Sequence, residues 1–317
     1  VTRLLITRTL GIVGTLLVLS VVIFAATELL PGDAVSRVAG PQADPVQRAL
    51  VAERLGLDRP AIERYVDWVG SAFGGDLGTS LTGRRPVAEI VGDRLGNSLL
   101  LAAAVYLPLI PLAVLLGTAA GLGSVGGRRG RLIDRVISFG TLAVLGVPEF
   151  LIAGLLLAVF AVWLHLFPPV SMASIGGSVL DTPEILVLPA LSLLIVSLGA
   201  VIRLVRARAA DVATSPYVES ARLAGVRGPA LVLRHVMPAV LGPAVQLIAV
   251  GFGTVVGGAV VVETLFDYPG IGNELQNAVA SRDVPVVQGI ALTLGAVTLI
   301  AVLAGDLVGR ALDGVRR

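Results

Sequence analysis

The sequence predicts an all-α polytopic membrane protein with six transmembrane helices. Three observations carry that prediction. Of the 317 residues, 55% are hydrophobic and only 15% charged, less charge than a soluble domain of this size carries. Apolar runs longer than about 18 residues, the length needed to cross a bilayer, recur along the chain. Between them lie segments rich in arginine, glycine and proline. The composition also excludes several functions. The chain has no cysteine, hence no disulfide, thiolate metal site or cysteine nucleophile. The two histidines, His165 and His235, are too few for a cluster. All 24 basic residues are arginine, and a Walker A loop needs a lysine. If ATP drives this protein, another chain binds it.

The first apolar run, residues 10–30, follows Arg3 and Arg8. At about 1.5 Å per residue it matches one bilayer core. It is long for a signal-peptide core and lacks a small-residue cleavage site before Pro31, so it reads as a retained first span. Residues 31–97 are polar. Within them Val46, Leu50 and Leu55, then Ile62, Val66, Val69 and Phe73, recur at helical spacing and predict helices over 45–55 and 60–73. Val87, Ile90, Val91 and Leu95 suggest a third short helix leading to the membrane. Asp58, Glu63, Asp67 and Asp76 are scattered and read as solvated faces of a small extramembrane cap.

The second span, residues 98–122, contains Pro108 and Pro111, where a kink is expected unless neighbours repair the lost bonds. Residues 123–135 form a short basic segment with Arg128, Arg129, Arg131 and Arg135. The third apolar region, 136–167, is too long for one upright span and predicts a tilted or kinked helix with Pro148 as the break. Glu149 lies inside it. A carboxylate is costly in lipid, so it faces protein or a water-filled path; a pathway or gating role and a structural or interfacial one are both open. His165, two residues after Trp163, belongs at the interface. A loop over 168–184 leads to the fourth span, 185–202, which ends at Arg203, Arg206 and Arg208. The fifth, 239–262, holds Gly251, Gly253, Gly257 and Gly258, small residues that let helices approach closely. Gln246 is its one strongly polar interior group, a helix contact in preference to a pathway residue. Residues 263–283 form a loop with Glu263 and Asp267, and the sixth span covers 284–305.

Residues 214–238 are the most polar extended piece of the second half. Ser215 can cap a helix and Pro216 suits its first turn. Glu219 falls near the positive end, and Gly225 is a natural stop. Pro229 can begin a second short helix that carries Arg234 and His235 and meets Pro238 where the fifth run starts. Two short helices at a membrane surface look like a docking element; a plain interfacial connector is the alternative. Arginine sets the orientation. With the N-terminus in the cytoplasm, 1–9, 123–135, 203–238 and 306–317 lie inside and hold 15 arginines. The short loops decide: four arginines in 123–135, none in 168–184 and one in 263–283. Both termini and the docking stretch are then cytoplasmic.

Such a chain fits a transporter subunit, a channel subunit or an intramembrane enzyme. The enzyme reading is weak, because no HExxH motif and no convincing Ser/His or paired-Asp arrangement is present. An ion-coupled carrier places polar groups in broken helices near the midplane, and here only Glu149 is a candidate. A channel filter from residues 263–283 is conceivable, but nothing demands it.

Five segments go further. Glu219-Ser220-Ala221, then Gly225 and Pro238, follow the order of a Glu-Ala-Ala, three residues, Gly motif with a later proline. The others are Gly257-Gly258-Ala259-Val260-Val261-Val262-Glu263-Thr264-Leu265-Phe266-Asp267-Tyr268-Pro269-Gly270-Ile271-Gly272, Leu55-Gly56-Leu57-Asp58-Arg59-Pro60, Gly75-Asp76-Leu77-Gly78-Thr79-Ser80 and Arg282-Asp283-Val284-Pro285-Val286-Val287-Gln288-Gly289. With this ordered set the chain resembles, over its whole length, the inner-membrane permease subunit of a binding-protein-dependent ABC importer of the dipeptide/oligopeptide/nickel class. The long external segment after the first span resembles the first of the two permeases. Ser220 departs from the motif's second position and is small enough not to disturb docking.

The resemblance implies a division of the chain. Residues 1–30 are the cytoplasmic N-terminus and first span, and 31–97 an external, periplasmic-side helical segment. Residues 98–310 are the five-helix permease core, with a cytoplasmic coupling segment at 214–238, between the fourth and fifth spans, and an external loop at 263–283. Residues 311–317 are a cytoplasmic tail. It also implies a homologous second permease, two P-loop ATPase subunits that hold ATP and Mg, and an extracytoplasmic substrate-binding protein; membrane lipid surrounds the chain, and no nucleic acid or cofactor is expected in it. By this resemblance the coupling residues are Tyr217, Glu219, Ser220, Ala221, Arg222, Leu223, Gly225 and Arg227. Tyr217 and Leu223 are apolar contacts and Arg222 and Arg227 meet acidic groups, while Glu219 is either a contact or a helix-end charge. Glu149, Gln246, Glu263 and Asp267 are the pathway or gate candidates; for the loop, structural closure is favoured over peptide contact. Alternating access driven by ATP, with peptides as cargo, is the implied activity. Nickel or another small solute is the alternative, and an ATP-independent channel or carrier the competing class.

Overall fold

The computed structural model describes residues 2–29, 40, 43–54, 58–172 and 178–314. Leu55, Gly56 and Leu57 lie outside them. The described residues are helical almost throughout, with one isolated bridge, Thr79 to Pro86. Helix α1 is Thr2–Glu28, α2 Pro45–Arg54, α3 Ala61–Phe73 and α4 Val87–Ser124. Helix α5 is Arg128–Leu145, and α6, Glu149–Leu156, continues as a π-helical stretch Leu157–Trp163. After short 3-10 turns come α7, Val187–Ala213, and α8, Pro216–Leu223. Helix α9, Gly228–Leu231, runs through a π stretch, Val232–Val236, into α10, Met237–Leu265. Helices α11, Ile271–Ser281, and α12, Val284–Gly314, complete the chain.

Four stretches, Arg8–Glu28, Val87–Ser124, Pro183–Ala213 and Val284–Gly309, are long and apolar enough to cross a membrane. Arg128–Leu145 and Glu149–Trp163 pass that test as a pair bent by 100°, which would make up to 5. The chain is therefore an all-α, multi-pass membrane protein. The bend falls at Pro148, the break expected from the sequence. Pro148 has φ −57° and ψ 141°, so the helix stops before it and restarts at Glu149.

Several boundaries differ from the sequence expectation. The short helix expected over 87–95 and the second span are one helix of 38 residues. Its first turns are held because Val87, Ile90 and Val91 are buried in a cluster with Ile271, Ala278, Val286 and Ile290. Pro108 and Pro111 lie inside that helix, as neighbours permit in membrane helices. The basic segment 123–135 is mostly helix, because the α4–α5 turn is unusually tight: a Cβ at Gly123 would meet the Gly130 carbonyl at 2.5 Å. Residues 263–283, expected as a loop, contain the 11-residue helix α11, whose apolar side joins the same cluster. The second short helix of the docking stretch runs through the π stretch that carries Arg234 and His235 into α10, with Pro238 just past the junction. Helix α12 continues past residue 305 to Gly314.

The chain divides into two compact units. One comprises residues 1–98 with 269–299, the other 99–268 with 300–317. In the first, Asp283 is buried and accepts hydrogen bonds from Ser80 Oγ at 2.5 Å, Leu81 N at 3.1 Å, Thr82 N at 3.1 Å and Thr82 Oγ1 at 2.8 Å. A carboxylate with this many donors is a strong local fastening. It joins the Gly75–Ser80 and Arg282–Gly289 segments, two of the five sequence segments singled out above. In the second unit the core is formed by α4, α6, α7, α8 and α10, with Leu101, Leu109, Leu188, Val205, Val218, Val236 and Phe266 at its centre.

Candidate functional site

The candidate site is α8 and the structure that holds it. Ser215 is the N-cap: the Val218 N–H donates to Ser215 Oγ at 3.4 Å, and Ser215 Oγ donates to the Val212 carbonyl at 2.7 Å. Pro216 takes the first helical position. At the other end the Gly225 N–H donates to the Arg222 carbonyl and the Val226 N–H to the Ala221 carbonyl, both at 3.0 Å. This is the paired closure of a Schellman motif, and it needs a residue in the left-handed region. Gly225 supplies it with φ +88°. Both termini of an eight-residue helix are thus satisfied, which such a short helix needs in order to persist in water.

The two faces of α8 have different surroundings. Val218 and Ala221 are buried and belong to the core of the second unit. Tyr217, Glu219, Ser220, Arg222 and Leu223 face outward, and Leu223 is 82% exposed. Arg222 stands 3.8 Å from Glu219, and each sits at the helix end its charge favours. Ser220 Oγ donates to the Pro216 carbonyl at 2.9 Å, so its hydroxyl is satisfied within the helix. The Tyr217 ring lies 5.4 Å from that of His235. Arg227 is exposed in extended backbone beyond Gly225. Ala221 therefore packs inward, apart from the outward set the sequence grouped it with.

The support for α8 includes residues the sequence reading missed. Only Thr214 and Ser215 separate α8 from α7. On α7, Arg206 forks onto Asp134 of α5: Nη2 reaches Oδ2 at 2.8 Å and Nε bonds Oδ1. Ser138 Oγ donates to the same carboxylate at 3.1 Å. Glycine brings α4 against α7 at this level, because a Cβ at Gly121 would meet the Arg206 carbonyl at 2.5 Å. Asp134 and Arg206 are 72 residues apart, so no local spacing announces the pair.

The pathway candidates occupy different surroundings. Glu149 opens α6 and is half-buried. Its carboxylate lies where a Cβ at Gly258 would be, 2.5 Å from Oε2, so Gly258 makes room for it. Glu263 is fully enclosed at 0% exposure, and its backbone carbonyl accepts from Tyr268 N at 2.8 Å. Burial and the nearby Glu263 charge push the Tyr268 hydroxyl above its ordinary pKa. Asp267 is exposed, with φ +51° at the turn after α10. The side chain of Gln246 lies outside the described residues. No group of three His, Cys, Asp or Glu side chains that could hold a metal ion occurs among the described residues.

Two family models cover this chain. "Binding-protein-dependent transport system inner membrane component" matches residues 90–316, from the first turn of α4 through α12, and so contains the whole of α8. The chain belongs to this family. The corresponding N-terminal family, "Binding-prot-dependent transport system membrane comp, N-term", matches residues 1–102. Among relatives, the glutathione transport system permease protein GsiC of Escherichia coli O6:H1 is 34% identical over 308 residues, covering 96% of either chain. A provisionally named peptide permease protein of Brucella suis biovar 1 is 36% identical over 307 residues, 95% of this chain and 94% of the relative. GsiC of Salmonella choleraesuis is 34% identical over 308 residues, again 96% of each. As a binding-protein-dependent transport component, the chain is a multi-pass permease subunit of a bacterial inner membrane and not an enzyme.

Proposed function

We infer that the chain is one of two homologous permeases of an ATP-driven importer for short peptides, and that α8 is the helix through which separate ATPase subunits move it. The observation that carries this reading is the division of α8 into an anchored inner side, Val218 and Ala221, and an exposed outer side, Tyr217, Glu219, Ser220, Arg222 and Leu223. A helix closed at both ends, fixed on one face and open on the other is fit to transmit force from a partner. In this reading residues 216–224 enter a groove on one ATPase, with Leu223 and Tyr217 as apolar contacts and Arg222 and Arg227 facing acidic groups. Closure of two ATPases around ATP and Mg shifts α8 and with it α7, which ends two residues before it, and α5 follows α7 through the Asp134–Arg206 pair. The spans then alternate between outward-open and inward-open arrangements, a two-state motion.

Six spans follow if α10 is added to α1, α4, the bent α5–α6 pair, α7 and α12. Arginine then keeps both termini and α8 in the cytoplasm, and the basic ends of α5 and α7, joined by Asp134 and Arg206, agree with this placement. The long segment 31–97 after the first span supports reading the chain as the first of the two permeases. Peptide cargo, delivered by an extracytoplasmic binding protein, is supported by relatives named for glutathione and peptide transport. Glu149 is the foremost gate candidate, Asp267 a rim residue and Glu263 a closing group within the protein.

The test uses the assembled complex with a loaded binding protein. Leu223→Asp, and separately Gly225→Pro, are expected to abolish uptake and its stimulation of ATP hydrolysis while the chain remains inserted. Uptake at the unaltered rate in both variants would sink the coupling role of α8. Transport by vesicles that hold this chain alone would move a channel or carrier to the front.

A further inference from the structure

We propose that α3 lies in the membrane interface beside the C-terminal end of α1, with Ile62, Val66 and Phe73 against lipid, and is not part of a water-exposed cap. The depth of α3 follows from what it touches. Helix α1 is long and apolar enough to cross the membrane over Arg8–Glu28. The hydroxyls of Tyr65 and Ser20 are hydrogen-bonded at 2.9 Å. The Phe24 ring meets Tyr65 edge-on at 5.5 Å and lies 6.2 Å from Trp68. Arg64 reaches Glu28 at 2.5 Å, with its guanidinium 5.9 Å from the centre of the Phe24 ring. Ser20 is eight residues before Glu28, about 12 Å down the helix axis. Tyr65 therefore reaches well inside the apolar length of α1, and α3 cannot stand clear of the bilayer.

The faces of α3 agree with that depth. At about 100° per residue its side chains form three faces roughly a third of a turn apart. Arg64, Tyr65 and Trp68 face α1. Glu63 and Asp67 form a charged face with Arg59, at 3.4 Å and 2.6 Å. Ile62, Val66 and Phe73 form the third, with exposures of 69%, 59% and 69%. Turning the charged face to water points this stripe into the acyl region next to α1. Aromatic side chains packed on the apolar length of a spanning helix, with an arginine whose stem runs along an apolar surface, suit a helix at that depth. The adjoining part of α1 also exposes Val18, Val21 and Val22. Lipid is the occupant this geometry selects, because the stripe sits at the depth where acyl chains are present.

Tryptophan provides the test, since the chain has only two, Trp68 and Trp163. Both are replaced by phenylalanine in the full-length chain, and one new tryptophan is introduced as Val66→Trp or Asp67→Trp. In liposomes of phosphatidylcholine brominated on its acyl chains, emission at position 66 should be quenched severalfold more than at 67, and 67 should respond to aqueous acrylamide. Independently, the unaltered chain in its own membranes, irradiated with a diazirine-bearing phospholipid, should carry lipid adducts at Ile62, Val66 and Phe73. Equal bromolipid quenching at both positions overturns the proposal. So does shielding of position 66 from both quenchers by a protein partner, or an absence of lipid adducts across residues 61–73.

Discussion

Single residues do conformational work that their types announce only in part. Gly225 is required because the Schellman closure of α8 places it at φ +88°. Gly225→Ala should destabilise α8 by about 1 kcal/mol, read as faster proteolysis or hydrogen exchange over residues 216–226 with the spans unaffected. Asp283 is the opposite case, a carboxylate that gathers Ser80, Leu81 and Thr82. Removing it leaves buried donors unpaired, so Asp283→Ala should cost about 2–3 kcal/mol, seen as a lower unfolding temperature in detergent, while Asp283→Asn recovers part of the loss. The Glu149 carboxylate lies directly against Gly258. Because the atoms a methyl group would meet are the far end of a flexible side chain, Gly258→Ala should displace the carboxylate and not the helices, at a small cost that disappears when Glu149 is also alanine; a double-mutant cycle of unfolding temperatures checks that coupling.

At the scale of elements, the termini of α8 are local and its support is not. Its cap, first-turn proline and glycine stop act over a few residues. Its position depends on α7, which is held to α5 by Arg206 and Asp134 and to α4 by the close approach at Gly121. Asp134→Ala or Arg206→Ala should each cost about 1–3 kcal/mol, as loss of one partner of a charged hydrogen bond does, and should lower ATP-driven uptake more than expression. The exchange Asp134→Arg with Arg206→Asp should recover part of the stability lost by either change alone. Additive losses in that double variant would show that the pair does not act as a unit. The bend of 100° between α5 and α6 has a simpler origin, since Pro148 denies the helix both a donor and room for the preceding turn.

For the whole molecule, the prediction concerns sidedness. The chain contains no cysteine, so a single introduced thiol reports its own position. Ser220→Cys on the outer face of α8 should react with a membrane-impermeant maleimide only after the cell is opened. Asn277→Cys, exposed on α11, should react in intact cells whose outer barrier is permeable. The reverse pattern would invert the proposed orientation and remove α8 from the reach of cytoplasmic ATPases. Purification of the tagged chain in mild detergent tests the assembly: a second permease, P-loop ATPases and a binding protein should accompany it, and repeated recovery of the chain alone after crosslinking would contradict it.

Much of this was legible without coordinates. Hydropathy marks the apolar runs because a span needs about 20 of them in succession, whatever surrounds it. Ser215, Pro216 and Gly225 delimit α8, and Pro148 locates the bend, because caps, prolines and left-handed turns act within a few residues. Composition removed cysteine chemistry and the Walker A loop from consideration. The segments Gly75–Ser80 and Arg282–Gly289 were conspicuous, but their reason was not, for the Ser80–Asp283 contact joins positions 203 residues apart. The same holds for Asp134 with Arg206 and for α3 with α1. Packing alone turned 87–95 into the start of a long helix and 263–283 into a turn and a helix, by burying Val87, Ile90, Ile271 and Ala278 together. The sequence by itself determined which segments are apolar, where α8 starts and stops, where the third apolar region bends, and which chemistries are excluded. Only the tertiary structure decided which faces are covered, which charges meet and which side of α8 remains open, because those outcomes depend on contacts between residues that chain order does not bring together.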